Sequence, residues 1–344
     1  MTGGWGMKSN PIDNFRIQRS DFNFIGKDLQ RPECILAEKN GTLWAADARG
    51  GVTKILPDGT QALITQEANS RFGRVMAVEE RFTQGTLPNG LAFAPNGDFL
   101  IANFGTDALE VMTRNGKTRT LYDTIDGQPV GKVNFVLRDS KNRIWLTIST
   151  RIKNWMQAIR PDVSDGYIAL ADGQGIRIVA DGFKFTNEIR FDAQEEFIYI
   201  VETCGRHISR MRVKPDGSLA DREIFGPRDL GPAGTPDGVA FDSYGNLWGT
   251  IVFGERLFAI TPQGDLRILF DDGDPAAIDD FDKHFFAGTI EPKHMAACKS
   301  KVAPWMASIT FGGPDLRTVY VGTLMGTTIP YFRSPISGLP MVHW

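Results

Sequence analysis

The sequence predicts an all-β chain: a six-bladed β-propeller with four-stranded antiparallel blades and loop insertions over one face. Three observations carry this. A strand–turn–strand pattern recurs six times, helical periodicity is absent over most of the 344 residues, and 37 Gly and 19 Pro punctuate the chain. A single blade cannot bury both faces of its sheet, but neighbours in a closed ring do so for one another.

The six copies open at Glu33, Asn89, Asn134, Asn187, Asp237 and Ser308. Each starts with a polar residue, runs through mostly apolar positions, turns in a Gly/Asn/Asp-rich loop and resumes as an apolar strand. The distance from the opening residue to the Trp or Leu of the second strand is 11 in four copies (Glu33 to Trp44, Asn89 to Leu100, Asn134 to Trp145, Asp237 to Trp248). It is 12 in the other two, Asn187 to Tyr199 and Ser308 to Tyr320. Turns such as PDG at 57–59 and 215–217 and RNG at 114–116 suit hairpins, because Gly, Asn and Asp tolerate positive φ. Fourth strands follow as TRTLY, IRIVAD, REIFG and LRILF. The stretch FRIQRSDFNFIG near the N-terminus is expected to supply the closing outer strand. Residues 1–344 are thus expected to form one propeller domain, interrupted at 60–86, 149–166 and 272–306 by insertions long enough to cover an end of the ring or to mediate oligomer contacts.

Composition narrows the function classes. Lys+Arg total 38 and Asp+Glu 41, a net charge of −3, which provides no basic field for nucleic acid. No run of 18 apolar residues suggests a membrane span, and the N-terminus lacks the pattern of a signal peptide. Three cysteines, Cys34, Cys204 and Cys298, do not make a disulfide framework. A cytoplasmic location is expected. No Gly-x-Ser-x-Gly elbow and no phosphate-cradling Gly-rich loop occur, so neither serine hydrolysis nor a nucleotide cofactor is suggested.

The six opening residues begin innermost strands and so converge near the axis at one end. Carboxylates at Glu33 and Asp237 beside carboxamides at Asn89, Asn134 and Asn187 would repel or lack partners in a narrow channel. One divalent cation resolves both problems, and an all-oxygen set suits calcium first, with magnesium or manganese next and zinc as a further alternative. The plainer reading is that these side chains cap strand starts and bind water.

The copies NEIRFDAQEEFIYIVET from Asn187, PDGVAFDSYGNLWGT from Pro236 and SITFGGPDLRTVYVGT from Ser308 resemble the senescence marker protein/regucalcin/gluconolactonase family of six-bladed propellers. The resemblance covers about residues 30–335. It implies metal ligation by Glu33, Asn187 and Asp237, with Asn134 as a further ligand or substrate contact. Lys132 takes the place of a substrate-binding Arg, and Asp237 that of the general base. The implied activity is metal-dependent opening of a lactone, a small cyclic ester. Two departures concern specificity: Glu33-Cys34-Ile35 replaces Glu-Gly-Pro, and Asn134-Phe135 replaces Asn-Asp. Asn89 joins the substrate contacts as a neighbouring channel residue, and Arg151 and Trp155 join them from the 149–166 insertion. Alternative readings are an aryl-ester or organophosphate hydrolase, a strictosidine-synthase-like or other lyase, and a non-catalytic calcium-binding propeller.

Overall fold

Near-continuous apolar strands, buried on both faces, build six separate four-stranded antiparallel sheets, as seen in a computed structural model that describes residues 9–67 and 85–344. The innermost strands are Ile35–Ala37, Pro88–Phe93, Val133–Arg138, Thr186–Phe191, Pro236–Phe241 and Met306–Gly312. In five blades the remaining strands follow outward in chain order. The sixth is completed by Asn23–Ile25, which pairs antiparallel with Ile329–Arg333. The chain is therefore the expected six-bladed propeller, and its closing strand comes from within the expected N-terminal stretch.

The repeated Trp has a physical role. Trp44, Trp145 and Trp248 are buried, and each indole N–H donates to a carboxylate six positions earlier: Glu38 at 3.0 Å, Asp139 at 2.9 Å and Asp242 at 2.8 Å. Each ring packs between sheets while its polar edge keeps a partner. At the end of the ring away from the opening residues, the C-terminal segment crosses the channel. Leu339 N–H donates to Phe241, and the His343 ring meets Ala37 O at 3.0 Å.

The insertions need one correction. Gln61–Thr65, inside the expected 60–86 insertion, is the fourth strand of the first blade; residues 68–84 lie outside the described residues. The 149–166 segment carries a short 3₁₀ turn, Trp155–Ala158. The 272–306 segment forms helices α1 (Pro275–Ala287) and α2 (Pro292–Ala297). Helix α1 begins where the Asp274 carboxylate accepts from the N–H groups of Ala276 and Ala277, and it ends at Gly288, whose φ of 67° suits a residue without Cβ. Its buried stripe, Ile278, Phe281 and Phe285, joins the apolar cluster that holds Phe104, Phe185, Phe253 and Met295. Among the described residues no helix is long and apolar enough to cross a membrane.

Candidate active site

The innermost strands do more than line a channel. In five blades the register of the first pair shifts at or beside the opening residue: between Pro88 and Leu91, Val133 and Phe135, Thr186 and Ile189, Pro236 and Val239, and Met306 and Ile309. Such a bulge re-aims a side chain out of regular alternation. Close approach of neighbouring blades accompanies it. A Cβ on Gly90 would lie 2.6 Å from Phe135 Cα, and one on Gly238 would lie 2.3 Å from Ala307 O, so only glycine fits after Asn89 and Asp237. After Asn187 the chain has Glu188 instead; its carboxylate accepts from Val239 N–H at 3.2 Å and pairs with Arg190 at 3.1 Å.

Five of the six opening residues, Glu33, Asn89, Asn134, Asn187 and Asp237, meet at the floor of a cavity of about 590 Å³. All five are buried. Glu33 accepts from Asn89 Nδ2 at 2.8 Å and from Arg31 Nη1 at 3.1 Å, and Asn89 Nδ2 also donates to Asn134 O at 2.9 Å. Asn187 Nδ2 donates to Thr203 Oγ1 at 3.1 Å, and that hydroxyl donates onward to Pro236 O at 2.7 Å. The amide nitrogens of Asn89 and Asn187 are thereby fixed, which leaves oxygen as the free end. Among the described residues Asn89 Oδ1, Asn134 Oδ1 and Asn187 Oδ1 are buried without any hydrogen-bond partner. Three orphaned acceptors surround two carboxylates, and the one described cation of the cavity, Arg31, pairs with Glu33, so the positive charge falls one short of the negative.

The electrostatics agree. Burial pushes the Asp237 carboxyl well above its ordinary 3.8, and the Glu33 and Glu188 charges push it further. Burial raises Glu33 as well, although Arg31 and Asn89 oppose the rise. Two desolvated carboxyls coupled to one another are a setting in which a dication would favour the charged forms. The donor set is oxygen throughout, so these residues fit a hard divalent ion.

Several sequence expectations change here. Ser308 turns away from the axis: its hydroxyl donates to Glu33 O and fastens the last blade to the first. Lys132 does not line the cavity. It is fully buried, with Nζ 2.8 Å from Asp107 and 3.2 Å from Phe104 O, so its charge is committed to a neighbouring turn. Desolvation lowers Lys132 and raises Asp107, as expected of a pair withdrawn from water. Arg151 is exposed on the outside, its guanidinium 4.2 Å over the Tyr167 ring, and does not reach the cavity. Trp155 does line the cavity, with its ring edge-on to Phe104 at 6.1 Å. Sequence reasoning missed Arg31 at the cavity floor and Phe104, Phe185, Phe253 and Met295 at its wall. Arg31 stands two residues before Glu33, a spacing that offered a signal; the others come together only through the fold.

A second group, Asp280, His284 and His294, has ligand atoms within 4.8 Å of one another near the α1–α2 junction. The two imidazoles stack at 3.8 Å with planes only 10° apart. An imidazole nitrogen binds a metal in its ring plane, and parallel planes share no such point. The axial floor is the better prepared site.

Fold and floor together define a propeller with an oxygen-lined axial site under an aromatic wall. Residues 31–270 match the family model described as SMP-30/Gluconolactonase/LRE-like region, and the chain belongs to that family. A 6-deoxy-6-sulfogluconolactonase of Pseudomonas putida is 23% identical over 145 residues, covering 42% of this chain and 40% of that protein, so the match spans less than half of the relative's length. Among solved structures, a gluconolactonase of Xanthomonas campestris is 17% identical with a TM-score of 0.61, covering 90% of this chain and 87% of that one. The calcium-binding protein regucalcin of Agrobacterium tumefaciens is 14% identical with a TM-score of 0.63, covering 92% and 95%. At these identities the structural likeness shows the fold.

Proposed function

We propose that the chain is a divalent-metal-dependent lactone hydrolase, with the ion held by Glu33, Asn134, Asn187 and Asp237 and with Asp237 as general base. The observation that carries this is the floor itself: three buried amide oxygens without partners beside two buried carboxyls. Family membership and the named lactonase relative support the ester class, and the calcium-binding neighbour supports calcium ahead of magnesium, manganese or zinc. When bound, such an ion supplies Lewis acidity toward an ester carbonyl and toward water.

The chain's own residues do the rest. Glu33 is held by Arg31 and Asn89 on opposite oxygens, so it is positioned as a ligand and not as a mobile base. Asp237 also feels the Arg31 charge and a hydrogen bond from the Asn187 side chain, but burial and the Glu33 and Glu188 charges outweigh them. With an ion bound, Asp237 would stand as a carboxylate, and an oxygen not committed to the ion would be placed to accept a proton from water. Asn89 stands as a substrate contact at the floor and Trp155 as one at the wall. The apolar wall excludes bulk water from the ester.

Asp237→Asn is expected to lower kcat/KM on a hydrolysed lactone by about 100-fold or more while the fold persists. Glu33→Gln is expected to weaken calcium binding, read by calorimetry, and to raise the metal concentration needed for activity. Full activity of Asp237→Asn would remove the base assignment. Activity unchanged by exhaustive chelation would remove the metal.

A further inference from the structure

We infer that the natural substrate is a neutral, apolar lactone, one carrying an aryl or alkyl group, and not a polyhydroxylated sugar lactone. This rests on the lactone-hydrolase reading above and concerns which lactone enters.

The cavity's polar lining falls into two separate zones. At the floor lie the five converging residues with Arg31 and Thr203, all buried. At the opening lie Gln30, Asn154 and Thr327, all exposed. Between them the described wall is apolar: Phe104, Trp155, Phe185, Phe253, Met295 and Trp305 stand on it. The polar edge of Trp305 is turned away from any ligand, since its indole N–H donates to Met295 O at 3.0 Å. Phe253 is fixed from behind by the Phe281 ring of α1 at 4.8 Å and beside it by the Trp305 ring at 5.4 Å.

A sugar lactone presents hydroxyls around its whole ring. With its carbonyl at the floor, those hydroxyls would face aromatic carbon and lose their water without gaining partners. An aryl or alkyl substituent in the same place would meet offset and edge-on rings at ordinary contact distance. Charge gives the same answer. Arg31 is the one cation among the described lining residues, and it is paired with Glu33 at 3.1 Å. Lys132, which could have met an acidic substrate, is buried against Asp107. The cavity volume of about 590 Å³ suits a ligand of two rings or of one ring with a medium chain.

The test uses the full chain with saturating calcium and three substrates: glucono-δ-lactone, dihydrocoumarin and δ-decalactone. The expected kcat/KM for the two apolar lactones exceeds that for the sugar lactone by about 100-fold. A second readout needs no turnover and no metal. Dihydroquinolinone, the hydrolysis-resistant lactam of dihydrocoumarin, is titrated against tryptophan fluorescence in calcium-free protein. Saturable quenching that weakens at least about fivefold in Trp155→Ala is expected. A sugar lactone preferred over both apolar ones, or rates within threefold across all three, would overturn the inference while keeping the hydrolase reading. Hydrolysis of none of the three, with saturable lactam binding, would remove the hydrolase reading and support an apolar ligand. Absence of lactam binding would overturn the inference on its own.

Discussion

Glu255 shows how single buried groups set the protein's response to pH. It is fully buried, accepts from Trp305 N–H at 2.7 Å, and burial pushes its carboxyl up to about 8. The folded protein therefore retains a proton that the unfolded chain releases near the ordinary 4.5. The stability this contributes is complete below that value and is lost as pH rises through about 8. At a fixed saturating calcium concentration, the Tm of wild type should fall between pH 5 and 9 by about 3 °C or more beyond that of Glu255→Gln, a difference in which contributions common to both proteins cancel. Parallel Tm–pH curves for the two proteins would contradict this. Residue-scale legibility in the sequence was uneven for a related reason. The converging residues were readable because each repeats one position of one pattern. Lys132 was not, because its partner Asp107 lies in another blade, and neither the spacing nor the residue type announces that pairing.

At the scale of elements, the closing strand is the joint on which the ring depends. Asn23–Ile25 is only three residues long, so its backbone pairing alone is weak. Phe22, immediately before it, is buried with its ring 4.9 Å from that of Phe270 in the fifth blade and 5.4 Å from that of Phe332 in the sixth. Phe22→Ala should therefore cost about 3–5 kcal/mol in urea unfolding, as for a core phenylalanine. A loss under about 1 kcal/mol would mean that this joint carries little. The strands were legible through their turns and their short apolar runs. Helix α1 was legible in principle, since Asp274-Pro275 opens it, Gly288 closes it, and Ile278, Phe281 and Phe285 fall on one face. It passed unread because the strand rhythm on both sides cast the segment as an insertion. The expected 60–86 insertion takes in Gln61–Thr65 even though the Pro57-Asp58-Gly59 turn before it marks a hairpin into a fourth strand.

For the whole molecule, the consequence of closing a ring is that residues far apart in sequence share one small volume. Glu33, Asn134, Asn187 and Asp237 come from the first, third, fourth and fifth blades, so an ion among them would tie four blades together. The departures at Cys34 and Phe135 belong to the same picture. Cys34, where the family has Gly, and Phe135, where it has Asp, both lie in one buried core cluster, so both departures add apolar packing under the floor.

The central claim is tested most directly by anomalous diffraction from crystals of the protein soaked with manganese, together with a calcium titration followed by Tm. The account predicts one anomalous peak on the axis, about 2.0–2.6 Å from oxygens of Glu33, Asn134, Asn187 and Asp237. It also predicts a stabilisation of about 2.7 kcal/mol at 100-fold excess over Kd that is absent in Glu33→Gln. A peak at Asp280, His284 and His294 with none on the axis, or a Tm indifferent to calcium, would contradict it.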